Sequence, residues 1–214
     1  MTALLGKNSI MKTKIEKFAL GLILAPLAPV VGLLGFWWIS YALLPESWIP
    51  YCSLSGLALG ILADIFILKR LITRAYRLGT VFWLAVLLFY SVGTFGFFMG
   101  VPLFNAALAV PVGFVVGGKL ARETVDGVRV RRTSLRTCIL TTSVLILVCA
   151  ASATVALISP STPGDLRGML GLGFEVTRAM LWGLILIGGV GLLAVNWVLT
   201  GLSVHITYRF LNKT

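Results

Sequence analysis

The chain has 214 residues, of which 58% are hydrophobic and only 12% are charged, and its mean hydropathy is +1.01. A soluble domain keeps about 25% charged residues, so the composition excludes an ordinary soluble fold and indicates a single membrane domain over residues 1–214. The net charge of +11 does not predict nucleic-acid binding, because the basic residues flank apolar segments and so act as an orientation signal.

Six continuous apolar segments follow one another along the chain, each near the roughly 20 residues that a helix needs to cross a bilayer. Transmembrane strands would be shorter and would alternate apolar with polar residues. The predicted fold is therefore all-α: a polytopic membrane protein with a six-helix transmembrane bundle. The predicted spans are residues 18–43, 50–69, 79–99, 101–119, 138–159 and 179–205.

Basic residues are divided unevenly between the two ends of these spans. Of the 18 Lys and Arg residues, all but Arg167 and Arg178 fall on one side, which includes a basic connection over 120–137. The opposite side carries one longer loop, over 160–178. Because cytoplasmic loops hold the excess of Lys and Arg, the N- and C-termini are predicted to be cytoplasmic, in what we expect to be a prokaryotic plasma (inner) membrane.

Small residues recur at intervals of four in several of the predicted spans. Helices in lipid associate through close approach of their backbones, so small residues mark helix contacts. Proline and glycine also allow a membrane helix to bend, as at Pro111, and bent helices are common where transporters bind substrates. The predicted helix-packing residues are Gly56, Gly60, Gly96, Gly100, Ala109, Gly113, Gly117 and Gly188.

One carboxylate, Asp64, lies inside a predicted span. It follows Gly56 and Gly60 at intervals of four, so the three residues share one helix face, and the acid is expected to point toward protein. Ionisable groups within a membrane mark candidate functional sites. A buried acid that serves only assembly remains the alternative. The candidate ligand-binding residues, judged by similar depth, are Asp64, Tyr90, Asn196 and Thr200, with Asn105 lining an entrance.

No catalytic or metal-binding pattern is present, so the sequence predicts neither an enzyme nor a metal site, and it identifies no cofactor. The single histidine, His205, cannot form a metal site alone, and the three cysteines have no metal-binding spacing. In the connection 120–137, Arg129, Arg131 and Arg132 are candidates for docking anionic lipids or an acidic cytoplasmic partner.

Two functional interpretations remain open. The first is a small transporter, or a membrane subunit of one, that binds a small polar or cationic solute in a helix-lined cavity. In its six helices, its cytoplasmic termini and its length, the chain resembles the vitamin-binding S components of energy-coupling-factor transporters. It carries none of the sequence motifs of that family. That resemblance implies a cytoplasmic ATPase module as partner. The second is a non-catalytic subunit that stabilises a larger membrane complex with other membrane subunits.

Overall fold

The computed structural model describes residues 14–98, 100–123, 125–171 and 173–212. Residue 99, at the predicted end of the third span, and residues 124 and 172, in the two predicted loops, lie outside the described residues. Every regular element in the described part of the chain is helical. The seven helices are α1 (Lys14–Leu43), α2 (Ile49–Arg74), α3 (Thr80–Phe97), α4 (Leu103–Arg122), α5 (Gly127–Ile158), α6 (Thr162–Leu170) and α7 (Arg178–Asn212).

Six of these helices, all except α6, are long and apolar enough to cross a membrane. Two of the six are interrupted. A turn at residues 25–26 divides α1, and a turn at Leu108 divides α4 into Leu103–Ala107 and Ala109–Arg122. The all-helical class and the six long apolar segments predicted from the sequence are confirmed, and they support a multi-pass membrane protein.

The two predicted loops are largely helical. Helix α4 continues to Arg122 and α5 begins at Gly127, so the basic connection predicted over 120–137 shrinks to a few residues. The loop predicted over 160–178 contains α6. Hydropathy detects only the apolar part of a helix. Arginine is a good helix former, so α5 extends through its basic residues without a change in backbone conformation.

The chain divides into two compact units, one containing α1 and α2 and the other containing α3 to α7. In the first unit, α1 and α2 pack as an antiparallel pair. A Cβ atom added at Gly56 would collide with the backbone oxygen of Gly32, and one added at Gly60 would lie 2.6 Å from the Cα of Pro29. The two backbones therefore touch, which only glycine permits at these positions.

In the second unit, α7 packs parallel to α4 and antiparallel to α5. A Cβ atom added at Gly113 would lie 2.6 Å from the Cβ of Ser203, and one added at Gly117 would lie 2.6 Å from the carbonyl oxygen of Val204. Farther along the same contact, Leu120 and Val204 form a small apolar core with Val130 of α5. Close backbone approach at the glycines brings these larger side chains together.

The remaining predicted packing residues behave differently. Ala109 is buried. Gly100 has a φ of +82° in the turn after α3, a conformation that glycine adopts without strain. A Cβ atom added at Gly96 or Gly188 would meet no described atom within 4 Å. The predicted packing at these last two glycines is therefore not seen between the described helices.

Candidate functional site

Polar side chains from α5 and α7 meet in the interior of the second unit. The hydroxyl of Thr200 donates to the backbone carbonyl oxygen of Asn196 at 2.8 Å and lies 2.9 Å from the hydroxyl of Thr141. The amide nitrogen of Asn196 lies 3.4 Å from the Thr141 hydroxyl and 3.2 Å from the Thr142 hydroxyl. Asn196 and Thr200 are 1% and 0% exposed, so this cluster is shielded from the surroundings.

The hydroxyls of Thr141 and Thr200 each also contact a backbone carbonyl of their own helix. A hydroxyl carries one hydrogen but accepts through two lone pairs. The Thr141 hydroxyl lies 3.1 Å from the backbone carbonyl oxygen of Thr137 and 3.2 Å from that of Cys138, and it can accept from the side-chain amide of Asn196. Asn196 and Thr200 lie four residues apart and therefore on one face of α7. Both side chains can contact α5 from that face.

Asn105 brings a second amide to the same region from the first part of α4. Its Nδ2 donates to the carbonyl oxygen of Ser91 in α3 at 2.8 Å. Its Oδ1 is buried and has no hydrogen-bond partner in the described part of the chain, although the residue is only 5% exposed. An unsatisfied buried acceptor costs about 1–3 kcal/mol, so this oxygen is a vacant position for a hydrogen-bond donor.

The interruption of α4 next to Asn105 has a cause in the sequence. Pro111 has no backbone N–H for the carbonyl oxygen of Ala107, and its ring crowds that carbonyl. The chain turns at Leu108, whose N–H donates to the carbonyl of Asn105 at 3.2 Å, and regular helix resumes at Ala109. The break therefore fixes the position of Asn105 relative to the rest of α4.

A small cavity lies between these two amides, enclosed by α3, α4, α5 and α7. Its volume is about 10 Å³, and its polar wall comprises Ser91, Asn105, Thr141 and Asn196. A cavity needs about 10–15 Å³ of such volume to hold one water molecule. The remaining wall is apolar and includes Val144. The volume of the cavity is therefore at the lower limit of what one water-sized group occupies.

The sequence-predicted ligand-binding residues are only partly brought together. Asn105 and Asn196 line the cavity, and Thr200 is bonded to its wall. Tyr90 is half-buried in α3, where its ring packs edge-on against Phe89 at a centroid distance of 5.7 Å, and it does not line the cavity. Asp64 belongs to the first unit, where it is half-buried on α2.

Ser91, Thr141 and Thr142 belong to the cluster and were not predicted. Serine and threonine in a helix commonly bond to a carbonyl one turn back, as Ser53 does to Ile49 at 2.8 Å. A serine or threonine in an apolar segment therefore does not by itself predict a contact with another helix. Thr141 also bonds to backbone carbonyls one turn back, at 3.1 Å and 3.2 Å, and its contact with Thr200 of α7 distinguishes it from a hydroxyl that bonds only to its own helix.

The predicted docking arginines all lie on the first part of α5, where they are exposed. The guanidinium of Arg129 lies 3.3 Å from the carboxylate of Glu123. Among the described residues, no three His, Cys, Asp or Glu side chains are grouped to hold a metal ion.

Comparison of the chain with protein-family models, with curated proteins and with solved structures finds no match. Function must therefore be argued from the geometry of the second unit.

Proposed function

We propose that the protein is a small multi-pass transport protein, or the membrane subunit of a transporter, that binds a small polar solute between Asn105 and Asn196. The proposal includes a prokaryotic plasma membrane with both termini in the cytoplasm. The uneven distribution of Lys and Arg over the ends of the spans supports that orientation.

The observation that carries the proposal is the unpaired amide oxygen of Asn105. A buried polar group in an apolar surrounding is costly unless something bonds to it. Here Asn105, which carries the oxygen, lines a cavity with three further polar residues. The broken helix α4 strengthens the argument, because transporters form substrate sites at discontinuous helices.

The chemistry of the cavity limits the class of solute. The amide oxygen of Asn105 is a hydrogen-bond acceptor, so a solute that binds to it must donate a hydrogen bond. The volume of about 10 Å³ fits a group of one heavy atom, such as the nitrogen of ammonium or of a primary amide. A larger solute would place only its donor group here, after movement of the helices around it.

Flux into proteoliposomes tests this function. Purified protein is reconstituted in liposomes, and uptake of ammonium, urea and water is compared with protein-free liposomes. We expect protein-dependent flux of at least one of these probes, lowered at least tenfold by Asn105→Leu. Asn212→Leu is the matched control, because Asn212 is exposed at the end of α7 and its side-chain amide donates to the hydroxyl of Tyr208 at 3.0 Å, away from the cavity.

A second variant guards against loss of folding in Asn105→Leu. Val144→Ile adds one methyl group at the cavity wall and removes no hydrogen bond, and the added volume in a core costs about 1–3 kcal/mol. We expect it to lower the flux while the protein stays monodisperse. Flux of all three probes equal to that of empty liposomes, or flux indifferent to both cavity variants, would overturn the proposal.

A non-catalytic subunit of a larger membrane complex is the second candidate. It is favoured by glycines of α7, including Gly188, Gly189 and Gly191, at which an added Cβ atom would meet no described atom of another helix within 4 Å, because small residues mark helix contacts in lipid. Gentle solubilisation followed by native mass spectrometry separates the two candidates. Stoichiometric membrane partners, together with no protein-dependent flux, would favour the subunit.

A further inference from the structure

The first part of α5 carries its arginines on a continuous helix. The helix has 32 residues, about 48 Å at 1.5 Å per residue, whereas the hydrocarbon core of a bilayer is about 30 Å thick. Its uncharged part, residues 137–158, covers about 32 Å. Once this part fills the hydrocarbon core, Arg136 lies at the edge of the lipid tails.

Helical periodicity sorts the arginines by face. At 100° per residue, Arg129, Arg132 and Arg136 fall within about 60° of one another, whereas Arg131 is about 100° or more from each of them. All four are exposed. The face that packs on the rest of the unit carries Val130, which is 2% exposed, and it points well away from the three grouped arginines. We call Arg129, Arg132 and Arg136 the arginine stripe.

The depth of the arginine stripe matches a layer of lipid phosphates. From Arg136 to Arg129 the helix rises about 10 Å, and the polar layer of one leaflet is about 5–7 Å thick. Long arginine side chains reach toward phosphate oxygens from either side of that layer. Arg132 lies about 6 Å from Arg136 along the helix axis, within that layer, whereas Arg131 and Arg129 lie about 7.5 Å and 10.5 Å from it. Arg129 is already 3.3 Å from Glu123 and reaches the headgroups through the length of its side chain.

We propose that the arginine stripe is a binding surface for the headgroups of anionic phospholipids in the cytoplasmic leaflet. The guanidinium groups donate paired N–H bonds to phosphate oxygens. Arg131 contributes to the net charge but not to this surface. The inference rests on the proposed placement of α5 in a membrane and is independent of the solute site at Asn105.

Lipid enrichment around the purified protein tests the proposal. The full chain is reconstituted in nanodiscs of equal phosphatidylglycerol and phosphatidylcholine, and native mass spectrometry gives the ratio of the two lipids that stay bound. We expect Arg132→Gln to lower the phosphatidylglycerol enrichment about fivefold, the factor equivalent to about 1 kcal/mol per basic residue. The adjacent Arg131→Gln is the matched control and should leave it unchanged.

The triple variant Arg129→Gln, Arg132→Gln, Arg136→Gln should abolish the enrichment while keeping the unfolding midpoint in phosphatidylcholine alone. Enrichment that survives in the triple variant would overturn the proposal and favour an acidic protein partner. Equal losses in Arg131→Gln and Arg132→Gln would also overturn it, because net charge rather than a face of α5 would then govern binding. Solute flux in the triple variant, measured separately, distinguishes this failure from that of the solute site.

Discussion

The side-chain hydroxyls of Thr141 and Thr200 lie 2.9 Å apart, and they join two helices across 59 residues of chain. Neither residue is near a terminus of its helix, and both are buried, at 4% and 0% exposure. Each hydroxyl also has a backbone carbonyl oxygen of its own helix within 3.2 Å. The contact between the two hydroxyls therefore adds a link between α5 and α7 to the bonds that each helix makes alone.

A double-mutant cycle on Thr141 and Thr200 measures this link. Thr→Val keeps the shape and removes the hydroxyl. We expect each single variant to lower the free energy of unfolding in detergent by about 0.5–2 kcal/mol, with a coupling near 0.6 kcal/mol, as found for hydrogen bonds within membranes. The control is Thr154→Val, since the hydroxyl of the exposed Thr154 donates to the backbone carbonyl of Ala150 on its own helix at 2.8 Å. A coupling of zero would show that the hydroxyls do not interact.

Close packing of α4 on α7 predicts a strong difference between two glycines. In Gly117→Ala the new methyl would lie 2.6 Å from the carbonyl oxygen of Val204, so the helices must separate, at a cost of about 1–3 kcal/mol. Gly188→Ala is the matched control, because a methyl there meets nothing within 4 Å and alanine is the better helix former. Thermal unfolding in detergent checks both. Equal midpoints would contradict the parallel contact of α4 and α7.

The six long helices were accessible from sequence because apolar length is a property of consecutive residues. Asn196 and Thr200 were predicted together with Asp64 and Tyr90 from their similar depth in the spans, and of these four only Asn196 and Thr200 lie in the polar cluster with Thr141. Glycines at intervals of four likewise predicted that Gly60 and Gly117 lie at helix contacts, because that spacing places small residues on one face of a helix.

What was missed depends on contacts between distant segments. The partner of Asn105 is a backbone carbonyl, that of Ser91, and every residue carries such a group, so no side-chain pattern identifies it. Thr141 and Thr154 are both threonines in the apolar part of α5, so the sequence does not distinguish them. Of the two, Thr141 bonds to α7, whereas Thr154 bonds to its own helix. Residues 127–136 were assigned to a loop because hydropathy measures solvent preference, whereas arginine continues a helix readily.

Asp64 offers a separate test of solute binding. Within the described part of the chain it makes no hydrogen bond or ion pair that a neutral side chain would lose. Asp64→Asn keeps the shape and removes a charge that costs about 2.5–3.5 kcal/mol at the centre of a membrane helix. We therefore expect unchanged or higher thermal stability. The solute site proposed at Asn105 does not include Asp64, so the ammonium flux in proteoliposomes should stay the same, and a lower flux would instead favour the role of Asp64 in solute binding that the sequence predicts.

The matched control for Asp64→Asn is Glu46→Gln, which neutralises an exposed acid just before α2 and should change neither quantity. Unchanged flux with a lower yield of Asp64→Asn would mean that the acid serves assembly and not solute binding.

Both ends of the chain are expected on the cytoplasmic side. All basic residues other than Arg167 and Arg178 lie at the ends of the spans that this orientation places inside, and Lys and Arg near span ends set the orientation of membrane helices. Fusions of green fluorescent protein and of alkaline phosphatase to each end check this in a bacterial host. We expect fluorescence and no phosphatase activity at both ends. Phosphatase activity at one end only would require an odd number of crossings, so one of the six long helices would have to lie outside the bilayer or fail to cross it.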